Sequence, residues 1–229
     1  MSETLITCSH GTAHPEGRAA VSGLVQALRR EAHHREVVSA YVDVQEPSID
    51  DVVRATSGRR IILPLFLSSG FHVNVDIVRA AGLDSMVSAA PALGPDWILA
   101  EIGVRRLFEA GAGPGDTIVL AAAGSSDQRA LKDVSKAARL LSAGWGGRVH
   151  VGSIGGGDTP IGEAVDIARA YGHRVVVSTY LLAAGSFDER LQECGADVIT
   201  APVLDGGTPD PRLVNLVLAR SRSLTSEFV

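Results

Sequence analysis

"TLITCSHGT", residues 4–12, returns in altered form as "DTIVLAAAGS", residues 116–125; a shift of 113 residues lays Gly11 on Gly124. Each copy is a short apolar run that ends in small residues and a glycine, which reads as a buried strand entering a turn. Further along, "PLFLSSG" (64–70) lies over "TYLLAAG" (179–185) in the same order. Two collinear matches imply a duplicated unit. The copies differ in chemistry, because His10 meets Ala123 and His72 meets Phe187.

Between these anchors, strand-like and helix-like stretches alternate. Thr4 to Cys8 is followed by helical spacing from Pro15 to Ala32, through Ala20, Leu24, Ala27 and Leu28. Val37 to Val44 is a β-branched run, and Ser48 is placed to cap a helix reaching Ala55. Ile61 to Leu67 does not alternate, as expected of a strand buried on both faces. A helix is expected over Val73 to Ala81, a short strand over Ser85 to Leu93 and an amphipathic helix over Trp97 to Ala110. Such alternation predicts an α/β fold of two tandem similar lobes, each a small parallel, doubly wound sheet flanked by helices. The linker Gly111-Ala112-Gly113-Pro114-Gly115-Asp116 sets the expected division at residues 1–112 and 113–229.

The bulk numbers bound the partners. A chain of 229 residues with 45% hydrophobic content buries a normal core. The net charge of −5 argues against nucleic acid and anionic membrane, which reward basic proteins through counterion release. No basic leader and no membrane-length apolar run is seen, so a cytoplasmic location is expected. Cys8 and Cys194 are too few for a disulfide framework or a Cys-rich cluster and read as buried apolar residues.

Ligands of open α/β sheets bind outside the carboxyl ends of the strands. There the sequence sets His10 after the first strand, Asp43 at the end of the second and His72 after the third. Two neutral imidazoles and a carboxylate suit a first-row divalent ion with open positions, and the same groups accept protons. Asp43 has an ordinary alternative as a cap of a nearby turn. His14, His33, His34, His150 and His173 read as solvated. Gly155-Gly156-Gly157-Asp158 and Ser125-Ser126 offer backbone donors to an anion, but no GxxxxGK[ST] or GxGxxG supports a nucleotide. Ser9-His10 suggests a hydrolase only weakly, since neighbours in a chain rarely reach one another and no GxSxG elbow is present.

The stretches CSHGTAHPEG (8–17), AYVDVQEPSIDD (40–51), LPLFLSSGFHVNVDI (63–77) and STYLLAAGSFDERL (178–191) resemble the class II chelatases of the sirohydrochlorin cobaltochelatase and ferrochelatase group, in the two-lobed form. The resemblance covers nearly the whole chain. It implies ATP-independent insertion of Fe²⁺ or Co²⁺ into the tetrapyrrole sirohydrochlorin for sirohaem or cobalamin synthesis, with no cofactor beyond the metal. The family's metal and catalytic histidines map onto His10 and His72. Its acidic metal residue, usually Glu, maps onto Asp43, whose shorter side chain leaves open whether it touches the metal or stands behind it. No His-rich tail, Cys-rich extension or fused module is present, so metal storage and an iron–sulfur cluster are not expected. On this reading the substrate lies in a cleft between the lobes, held by Ser9, Ser68, Ser69, Gly70, Ser125 and Ser126, in a monomer or homodimer. A non-catalytic metal or tetrapyrrole carrier is the alternative.

Overall fold

The computed structural model describes residues 3–171 and 174–222. His173 lies outside the described residues. Two parallel four-stranded sheets carry the fold. The first has the order β2-β1-β3-β4, from β1 (Thr4–Ser9), β2 (Glu36–Tyr41), β3 (Arg60–Pro64) and β4 (Val87–Ala89). The second repeats it as β6-β5-β7-β8, from β5 (Thr117–Ala122), β6 (Val149–Ser153), β7 (Val175–Tyr180) and β8 (Val198–Ile199). The α/β expectation and the duplication both hold.

The reason is visible in the central strands. Every residue of β1, β3, β5 and β7 is buried, so these runs are predominantly apolar without alternating, and the few polar residues in them, Arg60 of β3 among them, are buried as well. Helices α1 (Pro15–Glu31) and α2 (Ile49–Ala55) flank the first sheet; α5 (Gln128–Trp145), α6 (Ile161–Arg169) and α7 (Ser186–Leu191) flank the second. Ser48 caps α2 by accepting from the Asp51 N–H, as its position predicted. A π-helical turn (His72–Ile77) runs into α3 (Val78–Ala81) where one regular helix was expected.

The division of the chain differs from the expected one at 112/113. One compact unit comprises residues 1–93 with 206–229, and the other residues 94–205. Helix α4 (Trp97–Glu109), the last of the first repeat, packs on α5 and β7. Helix α8 (Pro211–Arg222), the last of the second, packs on α1 and β3. The two final helices are thus exchanged between the repeats.

One arginine on each exchanged helix fastens it to its host. Arg106 of α4 is 8% exposed and donates to the carbonyls of Pro202 and Val203, both at 3.2 Å, while meeting Glu109 at 2.6 Å and Asp205 at 2.7 Å. Arg220 of α8 donates to the Leu93 carbonyl at 2.8 Å. All three carbonyls follow the short outer strand of the host sheet, β8 for Pro202 and Val203 and β4 for Leu93. Arg106→Met keeps the side-chain volume but strands those acceptors, so urea denaturation is expected to show a loss of about 3 kcal/mol. A change within about 0.5 kcal/mol, the range of ordinary surface substitutions, would remove Arg106 as a fastener.

Both cysteines are free and buried. Burial pushes the Cys8 thiol up to about 12, with the Asp76 carboxylate adding to the effect, so it stays protonated and inert at neutral pH.

A candidate metal centre at the carboxyl edge of the first sheet

The loops after β1 and β2 are zipped together beyond the end of the strands. The Val42 N–H donates to the Ser9 carbonyl and the Asp43 N–H to the His10 carbonyl, both at 3.1 Å. Across the same gap, the Thr12 N–H donates to Gln45 Oε1 at 2.9 Å. Strand β2 ends at Tyr41, so Asp43 sits in the following loop and not at the strand end itself. Gly11 makes the close approach possible. Its φ is +90°, and a Cβ there would stand 2.5 Å from the Asp43 carbonyl oxygen.

His72 arrives from the third strand. The chain leaves β3 through Leu65 to Phe71, and the Asn74 amide donates to the carbonyls of Ser69 and Gly70, pinning that loop to the π-turn. The Phe66 ring stacks below His72 with centroids 6.1 Å apart, and the Phe71 ring meets it edge-on at 5.7 Å. These contacts bring the two predicted imidazoles together. The centroids of His10 and His72 are 4.8 Å apart and the rings stand at 88°.

In both rings the hydrogen bonds occupy Nδ1. His72 Nδ1 lies 2.8 Å from Asp76 Oδ2, and His10 Nδ1 lies 3.3 Å from the Gly11 carbonyl. An acceptor beside Nδ1 favours the tautomer protonated there, in which Nε2 keeps the lone pair that ligates metal. Asp43 Oδ2 stands 4.0 Å from His10 Nε2 and its side chain is 65% exposed. Its other oxygen accepts from the Val44 N–H at 2.8 Å, which makes it in part a turn former. Among the described residues, no group of three or more His, Cys, Asp and Glu side chains is spaced to hold a metal ion. What the structure assembles is a histidine pair with a carboxylate beside each ring.

Asp76 is the member that reading the sequence missed. Its spacing of four from His72 was the available signal.

The residues expected to hold substrate are divided between the two units. Ser9 is 5% exposed within β1, which removes it as a nucleophile and leaves the hydrolase reading without support. Ser68, Ser69 and Gly70 lie partly exposed in the loop that leads to His72. Ser125 and Ser126 belong to the second unit, where the Ser125 hydroxyl accepts from the Asp127 N–H at 3.0 Å. His33 and His34 are exposed, as expected. His150 is partly buried: its Nε2 is enclosed with no hydrogen-bond partner among the described residues, and burial with nearby Arg148 lowers its pKa.

The second unit shows what the same backbone does without the site. The Gly155 N–H donates to the Ala123 carbonyl at 2.8 Å, the counterpart of Asp43 to His10. A Cβ at Gly155 would meet the Phe187 ring at 2.6 Å, so that ring fills the space where a side chain like that of Asp43 would begin.

Comparison with known proteins agrees with this asymmetry. The CbiX family model matches residues 4–110. The chain is 28% identical over 85 residues to the sirohydrochlorin cobaltochelatase of Methanothermobacter thermautotrophicus, a match spanning 35% of this chain and 59% of that relative. It is 24% identical over 123 residues to the enzyme of the same name from Methanosarcina barkeri, covering 46% of this chain and 95% of the relative. Among solved structures, SirB from Bacillus subtilis with Fe³⁺ superposes with a TM-score of 0.76 at 20% identity, covering 97% of this chain and 95% of the other. CbiX, described as the terminal enzyme for siroheme biosynthesis in denitrifying bacteria, gives 0.70 at 16% identity, covering 96% and 98%. Residues 4–110 therefore match the CbiX family model, and the chain as a whole has the doubled α/β fold of these solved structures.

Proposed function

We propose that the chain inserts a divalent metal, Fe²⁺ or Co²⁺, into sirohydrochlorin without ATP. The observation that carries this reading is the pair of imidazoles 4.8 Å apart at the carboxyl edge of the first sheet. Relatives named for this activity are similar to part of the chain, the CbiX family model matches the stretch 4–110 that contains both histidines, and the repeat carries Ala123 and Phe187 in their place.

The metal is a substrate here, and the site has to release it. Two neutral nitrogen donors hold a first-row ion while leaving positions open for incoming pyrrole nitrogens. As the macrocycle takes the ion, its two pyrrole N–H protons depart, and the bare Nε2 atoms of His10 and His72 are placed to accept them. Charge balances, since one divalent cation enters and two protons leave. The Asp43 carboxylate gives the His10 imidazolium a charge partner without needing to touch the metal. Backbone and hydroxyl donors of Ser68, Ser69 and Gly70 are suited to a peripheral carboxylate of the substrate.

The carrier alternative draws on the lack of a third ligand among the described residues. Anaerobic incubation with sirohydrochlorin in tenfold excess over protein separates the two. Many equivalents of metallated product, formed faster than in protein-free buffer, are expected of the enzyme. At most one equivalent would establish a carrier.

A further inference from the structure

Two stripes run side by side along the π-turn and α3. Phe71, Val75 and Val78 form an exposed apolar one, while His72, Asp76 and Arg79 form a polar one at the same helical spacing. In the polar stripe, His72 Nδ1 meets Asp76 Oδ2 at 2.8 Å, and Arg79 Nη2 approaches Asp76 Oδ1 at 3.6 Å. Arg79 also bonds Asp50 of α2, which Arg54 approaches at 3.8 Å. The Asp76 side chain is 21% exposed against 65% for Asp43. The carboxylate built into the site is therefore Asp76.

The repeat supplies a second observation. In the register that lays PLFLSSG over TYLLAAG, His72, Asp76 and Arg79 meet Phe187, Leu191 and Cys194. All three replacements pack in the apolar core of the second unit. The whole polar stripe is exchanged for an apolar one, as expected if its members act together.

We infer that Asp76 is a positioning residue for the metal site: it fixes His72 as the Nδ1–H tautomer and aims the ring so that Nε2 stays bare for the ion. Arg79, tied to α2 through Asp50, keeps that carboxylate turned toward His72. This inference rests on the proposed use of His72 as a metal ligand, but its test does not require turnover.

Metal-free ¹⁵N-labelled protein at pH 8 reports the tautomer of His72 by long-range proton–nitrogen correlation, and Co²⁺ titration reports affinity. Wild type is expected to show the Nδ1–H form. Asp76→Ala is expected to shift His72 toward the Nε2–H form and to weaken Co²⁺ binding about 10- to 100-fold. Asp76→Asn, whose amide oxygen still accepts from Nδ1, is expected to keep the tautomer and lose about threefold or more in affinity. His10→Ala should lose Co²⁺ affinity with the His72 tautomer unchanged. Wild-type tautomer and affinity in Asp76→Ala would overturn the inference; if that variant does not fold, wild-type affinity in Asp76→Asn would do so. A chain that passes these tests yet shows no turnover would sink the chelatase reading alone.

Discussion

Alanine at His10 or at His72 is expected to lower the rate of metal insertion by about 100-fold or more, to near the spontaneous rate, with little change in thermal stability. On the proposed reading each ring supplies one of two bare imidazole nitrogens, and a single remaining donor would neither hold the ion nor take both protons. Groups that act as a unit are strongly non-additive, so the double variant should be scarcely worse than either single one. Both side chains are partly exposed, 46% for His10 and 33% for His72, so neither change opens a buried cavity. Anaerobic absorbance assays at equal protein concentration read the outcome. Activity retained in either variant would detach that ring from the chemistry.

Gly11→Ala is expected to damage the site without removing any reactive group. A Cβ on a backbone at φ +90° is strained, and here it would also press on the Asp43 carbonyl at 2.5 Å. The loops after β1 and β2 must part, breaking the hydrogen bond that sets Asp43 beside His10. A loss of about 2–3 kcal/mol in denaturant stability is expected, accompanied by weakened Co²⁺ binding. Gly124→Ala makes an informative partner. Its Cβ would meet the Gly156 carbonyl still more closely, so it should destabilise the second unit while leaving the histidine pair intact. Wild-type stability and metal affinity in Gly11→Ala would show that the zipped loops do not hold the site.

The duplication was legible because central strands of a parallel sheet must be apolar on both faces, and such runs are easily matched with one another. His10 and His72 were legible for a related reason: each follows one of those runs at a strand end, and each is missing from the copy. The exchange of α4 and α8 was not legible. Both are amphipathic helices closing a repeat, and periodicity states which face is buried without saying which sheet buries it. Only contacts such as Arg106 to the carbonyls of Pro202 and Val203 decide that.

Asp43 was found for its place after β2, yet its exposure and its bond to the Val44 N–H show the turn-forming use that short acidic side chains also serve. Asp76 escaped because an acid four residues after a histidine on a helix reads as part of a solvated face. The replacement of that acid by Leu191, buried completely in the second unit, was the sign that it faces inward. The π-turn left no mark in the sequence, since its hydrogen-bond pattern does not alter which residues are apolar.

The claim that His10 and His72 together receive the metal is tested most directly by anomalous diffraction from crystals of the wild-type chain grown anaerobically with Co²⁺. The account predicts a cobalt peak about 2.1 Å from Nε2 of both rings. A peak bound to one ring alone, or one seated in the second unit with none between His10 and His72, would contradict it.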